Sequence, residues 1–164
     1  MAGLLKSLCG APARWRRRTR AERVLLVEAC VLLGLARLAL LVLPFRRLSV
    51  WLGVQMNDPE SQIDAYDLLR AREVGDAVRS AANNMPWVGA CLPQAVAAQW
   101  MLKRRRITGT LCLGVAKDGT NPEMLTAHAW LRCGDDILTG AAGHEQFAVV
   151  AEFFGRGAVR RPDL

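Results

Sequence analysis

The sequence is poor in the residues that build metal centres and disulfide frameworks. Its 164 residues include two histidines, His128 and His144, and five cysteines with no C-x-x-C pair among them. Without closely spaced ligand pairs no zinc site is expected, and no metal or cofactor is assigned. The cysteines Cys9, Cys30, Cys91, Cys112 and Cys133 are odd in number. No small-residue cleavage site closes the apolar run near the N-terminus, so free thiols in a reducing, cytoplasmic compartment are expected. Internal repeats and low-complexity tracts are lacking as well. What remains is a globular profile, 52% apolar and 23% charged, sized for one ordinary domain with an appendage.

Acidic residues are scarce at one end. Residues 1–55 carry ten Lys or Arg against two acids, a net of +8, which leaves −1 for the rest of a chain whose total is +7. The cluster Arg14, Arg16, Arg17, Arg18, Arg20 and Arg23 runs directly into an apolar helix and matches no nucleic-acid motif. An anionic lipid surface or an acidic protein fits better than nucleic acid. The bland reading of the same cluster is a solvated lead-in.

Val24 to Leu43 is a twenty-residue run without proline, closed by Pro44, and predicts a helix. Thirteen of its residues are Val or Leu. Each contributes about −0.3 to −0.6 kcal/mol to membrane insertion, while Glu28 and Arg37 each cost up to about 3 near the centre, so the sum is close to zero. Those two charges are nine residues apart, about 180° around a helix, and cannot share one polar face. Burial against the domain, an interfacial position, a partner protein and a span all stay open, with residues 14–43 as the route to any membrane surface.

A polar stretch, Asn57-Asp58-Pro59-Glu60-Ser61, marks the best boundary, dividing 1–55 from a domain over 56–164. Beyond it, DAYDLLRAREVGDAVRSAANNM has helical periodicity, and a second helix is expected from Leu92 to about Arg105. After Arg106 the period becomes two. ITGTLCLGVA, LTAHAWLRC, DILTG and EQFAVVAEFF predict four strands joined in order as an antiparallel meander, giving an α+β fold.

Chemistry gathers at two positions. Cys91 falls at or beside the first residue of its helix, where Pro93 is tolerated and where free N–H groups and the positive end of the helix dipole favour a thiolate. In Thr126-Ala127-His128-Ala129-Trp130, alternation puts Thr126, His128 and Trp130 on one face and the small apolar residues on the other, which packs inward and leaves the histidine and tryptophan toward the helix start or a groove. His144, in a Gly-rich turn, is the weaker base. A cysteine opening a helix, followed by a histidine on a strand, is the arrangement for acyl transfer through a thioester. Each residue alone has an ordinary structural explanation. The Cys91 amide is the first oxyanion donor to name, with the Gln94 side chain three residues on. Trp87 and Trp130 are candidates either for the walls of a peptide groove or for plain core. The run Lys103 to Arg106 reads as a solvated helix end, and Cys112 and Cys133 as structural.

The segments CLPQAVAAQWMLKRR, LCLGVAKDG and AHAWLRC, in this order and spacing, resemble the transglutaminase-like cysteine peptidases of lasso-peptide biosynthesis, which remove the leader from a ribosomal precursor. The likeness covers most of residues 65–155, and PFRRL after the apolar helix also resembles family members. It implies a papain-related core in which the nucleophile helix packs on a small antiparallel sheet, with Cys91 as nucleophile and His128 as general base. It further implies a precursor peptide as substrate and an asparagine-synthetase-like macrolactam synthetase as the consumer of the liberated amine. Some relatives carry a fused leader-recognition domain. The first 55 residues have no room for one, so a separate leader-recognition protein is the implied partner.

One departure stands out. Many relatives carry an Asp about twelve residues after the histidine, and here that position is Gly140. Asp135 and Asp136 lie about 20 Å along the ribbon at ~3.3 Å per residue. Thr139, His144, Glu145 or a backbone carbonyl are the alternatives for orienting the ring. Two other functions therefore stay open: a transglutaminase-like acyltransferase that passes the acyl group to an amine, and a non-catalytic module that only presents the precursor.

Overall fold

The computed structural model describes residues 18–44, 47, 63–85, 90–119, 121 and 124–155. Three helices and four strands follow one another: α1 (Arg20–Val42), α2 (Ala65–Ala82), α3 (Cys91–Arg104), β1 (Gly109–Lys117), β2 (Leu125–Cys133), β3 (Asp136–Thr139) and β4 (Ala148–Gly155), with a 3₁₀ turn at His144–Gln146 before β4. This is the expected α+β arrangement with an apolar N-terminal helix. The boundary stretch at 57–61 lies outside the described residues.

The helix starts are fixed by side chains. α1 begins four residues before the apolar run, because Thr19 accepts from the Glu22 amide while the Glu22 carboxylate accepts from the Thr19 amide at 2.6 Å. Thr19-Arg20-Ala21-Glu22 is a capping box, worth about 1 kcal/mol. In α2 the Asp64 carboxylate caps the Tyr66 amide at 2.9 Å.

The sheet order corrects the meander. β1, β2 and β3 are neighbours in sequence order, but β4 crosses back to the free edge of β1, giving β3-β2-β1-β4, antiparallel at every pairing. The physical reason is length. β3 has four residues and offers a short edge, whereas β1 has nine and accepts a ladder from Gly155 at Gly109 to Ala148 at Val115. The crossing segment, residues 140–147, runs over one face of β2.

The helices cover the other face. Ala129, Leu131 and Cys133 of β2 share one buried cluster with Leu111, Leu138 and Phe153 and with the inner faces of α1, α2 and α3. Each fully buried Leu or Met in that cluster contributes about 1.5–3 kcal/mol. Ala95, Ala97 and Ala98 keep α3 slim enough to lie close to the sheet. α2 meets β3 at Gly75, where an added Cβ would stand 2.9 Å from the Leu138 oxygen, and Arg79 donates to that same carbonyl. Gln99, 1% exposed in mid-α3, donates through Nε2 to the carbonyls of Gly109 (3.1 Å) and Phe153 (3.3 Å), tying the helix to β1 and β4. Its position amid AVAAQWML was the signal: a lone amide in an apolar run needs buried partners.

Candidate active site

Cys91 is the first residue of α3 and is half-buried against the core cluster. Its N-cap is Ala90, extended at φ −63° and ψ 138°, and makes no side-chain cap bond. α1 and α2 are capped by Thr19 and Asp64, whereas among the described residues no side chain caps the start of α3, where the thiol begins. Gln94 is half-buried on the same first turn. Trp87 lies outside the described residues.

His128 sits on β2 opposite Gly114. Because Ala129 and Leu131 face the helices, His128 and Trp130 point to the opposite face, beneath the crossing segment. The imidazole lies between Trp130 (centroids 5.9 Å apart, stacked) and Phe147 (5.0 Å). Gly114 makes room for this layer: a Cβ there would meet Phe147 and the Trp130 ring within 2.9 Å. Trp130 is 4% exposed and also touches the His144 ring at 5.7 Å, so in this structure it supports the histidine from within the protein.

The ring's orientation comes from the backbone. His128 Nε2 is 2.8 Å from the carbonyl oxygen of Gly140. A carbonyl only accepts, so Nε2 carries the proton and in the neutral ring the lone pair is on Nδ1. Of the four alternatives left open by the sequence, it is the backbone carbonyl that meets the ring. Thr139 is 1% exposed, and His144 turns its own Nδ1 to the Ala141 oxygen at 2.8 Å, with Glu145 at 3.4 Å. Asp136 pairs with Arg72 at 2.5 Å, and that guanidinium holds its carboxyl below the usual range. Gly140 has φ +73°, and a Cβ on it would press into the Ala129 oxygen and within 2.9 Å of the Trp130 Cβ. An aspartate does not fit here, so the carboxylate's absence is built into the backbone.

The two halves of the candidate site belong to adjoining elements. α3 packs on β2 more extensively than on any other strand. Gln99 anchors it beside Gly109, next to the Thr110–Arg132 pair, so Cys91, eight residues back, is about 12 Å along the helix. His128, four residues back along β2 from Arg132, is about 13 Å from the same end. β3 stops at Thr139, opposite Leu131, and does not extend beside Ala127-His128-Ala129. Cys91 packs against the helix-side cluster, whereas the His128 ring lies beneath the crossing segment on the other face of β2, and not at the helix start as the sequence suggests. Among the described residues, no hydrogen bond runs from the His128 ring to the Cys91 thiol.

The other described cysteines are poor nucleophiles. Burial raises the Cys30 thiol, and burial together with nearby carboxylates pushes Cys112 (beside Glu152) and Cys133 (beside Asp136 and Asp67) up to about 11. Among the described residues, no group of three His, Cys, Asp or Glu side chains could hold a metal ion. Phe147 is not legible in the sequence, since its place depends on where the crossing segment runs; a backbone carbonyl is among the alternatives the sequence offers, and in the structure it is that of Gly140.

A family model described as the transglutaminase-like superfamily matches residues 39–152, more than half of the chain and including both Cys91 and His128. No curated protein and no solved structure matches.

Proposed function

Because the chain belongs to the transglutaminase-like superfamily, we propose that it is a cysteine peptidase that removes the leader from a lasso-peptide precursor. The observation that carries the reading is the hydrogen bond from His128 to the Gly140 carbonyl, which leaves Nδ1 as the basic atom. Support for the substrate comes from the three sequence blocks around Cys91, Cys112 and His128.

In the proposed reaction His128 Nδ1 takes the Cys91 proton, and the thiolate attacks the amide that joins leader to core peptide. First-turn amides of α3, the Cys91 N–H first, receive the developing oxyanion, with Gln94 as a side-chain donor. The imidazolium then protonates the departing amine, and water, deprotonated by the same nitrogen, hydrolyses the leader thioester. The Gly140 carbonyl fixes tautomer and ring orientation, but it offers the imidazolium a dipole where a carboxylate would offer a full charge. Trp130 and Phe147 keep the ring from rotating. The reading's partners are a separate leader-recognition protein that delivers the precursor and a macrolactam synthetase that uses the new amine.

The test is incubation with a candidate precursor and its recognition protein, read by mass spectrometry. A leader fragment ending in a free carboxylate supports hydrolysis; an amide there means transfer to an amine instead. Cleavage that persists in a folded Cys91→Ala variant, or an intact precursor with the wild type, rejects the enzyme.

A further inference from the structure

α1 is built inside out for a helix facing water. Its one acid beyond the first turn, Glu28, turns toward α3, where Arg105 holds both carboxylate oxygens (3.1 and 2.5 Å) and Arg104 approaches to 3.4 Å. Ala29, Leu32, Leu33 and Ala36 are buried against the domain. The opposite side presents Val24, Val27, Val31, Leu35, Leu38 and Val42, all about half exposed or more. Their spacing of three or four residues draws a single apolar stripe about 27 Å long at 1.5 Å per residue. Beside it, between α1 and α3, lies an apolar groove of about 1020 Å³ that includes Leu35, Leu38 and Trp100 and is rimmed by Lys103 and Arg104. Arg20 and Arg23 stand at the N-terminal end of the stripe, after a segment that carries four more arginines between positions 14 and 18.

We propose that this face docks on an anionic lipid bilayer, with the α1 axis in the membrane plane, the apolar stripe in the acyl boundary and the flanking cations among the headgroups. The charge pattern selects the occupant. A second copy meeting stripe to stripe would cover the apolar residues with a like face whose border is also basic, whereas anionic headgroups complement that border. A spanning α1 would have to leave α2 and α3 and expose Glu28 to hydrocarbon, whereas an interfacial helix keeps every contact described above. The inference is independent of the peptidase reading.

The test uses the full chain with vesicles of phosphatidylcholine alone or mixed with phosphatidylglycerol, read by co-sedimentation. Binding is expected to the mixed vesicles, at least about tenfold stronger than to the neutral ones and weakened by salt. The double variant Leu35→Glu/Leu38→Glu, with unchanged circular dichroism and melting, is expected to lose it. Arg20→Glu/Lys103→Glu leaves the stripe intact and serves the same purpose should the first variant fold poorly. Alkaline carbonate is expected to release the protein. Four results overturn the proposal: no binding to anionic vesicles, binding unaffected by either variant, resistance to carbonate, or a lipid-free dimer that Leu35→Glu/Leu38→Glu dissociates.

Discussion

His128 Nε2 donates a hydrogen bond to the carbonyl oxygen of Gly140 at 2.8 Å, and that residue holds a left-handed backbone, φ +73°. The acceptor that orients the ring and the glycine that permits its placement are one residue. Restoring the carboxylate expected from the family should therefore fail. Gly140→Asp is predicted to destabilise the fold by about 2–5 kcal/mol through backbone strain and collision with Ala129 and Trp130. Thermal melting should fall by at least about 5 °C, and leader cleavage should drop. A stable, more active Gly140→Asp enzyme would contradict the structure.

Phe147 is a positioning residue. It packs on the imidazole at 5.0 Å and, in the proposed reaction, touches no reacting atom. Phe147→Ala is expected to lower kcat about tenfold with KM little changed, since a loosened base weakens the chemical step and not substrate binding. Phe147→Leu should recover much of the loss. A KM effect without a kcat effect would assign Phe147 to substrate contact.

Much of this arrangement was legible in the sequence, because period-two and helical patterns identify elements from neighbours in the chain. Cys91 at a helix start and His128 on the second strand both follow from local pattern. The start of α1 is readable as well, from the Thr19–Glu22 capping box that precedes the apolar run at Val24. The crossing to β4 was not readable: strand order is decided by which edge offers the longer ladder, and periodicity does not carry that information. The same crossing brings Phe147 and the Gly140 carbonyl to the histidine. A backbone oxygen leaves no mark in a residue code, so the sequence offers a carbonyl as one alternative without saying which residue supplies it.

Cys112 and Cys133 yield a pH prediction. Their thiols are pushed up to about 11 in the folded protein, whereas an unfolded chain ionises them near pH 8.5. Between those values the unfolded state sheds protons that the native state keeps. Their contribution to stability is thus fully present below about pH 8.5 and is lost as pH rises toward 11. Urea unfolding at pH 8 and pH 10 should show a steeper loss for the wild type than for Cys112→Ala/Cys133→Ala. Equal slopes would contradict the burial of these thiols.

Glu28 joins α1 to the domain. Replacing it with Ala leaves the half-buried Arg105 without its carboxylate and is expected to cost about 2 kcal/mol, measured by denaturant unfolding. Adding Arg105→Ala should cost less than the sum of the two single changes, the signature of a coupled pair. Strict additivity would mean that the two side chains do not interact in solution.

The central claim is that the Cys91 thiol is activated by the His128 imidazole, and alkylation of Cys91 tests it most directly. Iodoacetamide labelling near pH 6.5, quantified by peptide mass spectrometry, is predicted to modify Cys91 well ahead of Cys112 and Cys133. It should slow about tenfold or more in a folded His128→Ala variant, since the thiolate loses its partner. Equal Cys91 rates in the two proteins would contradict the account.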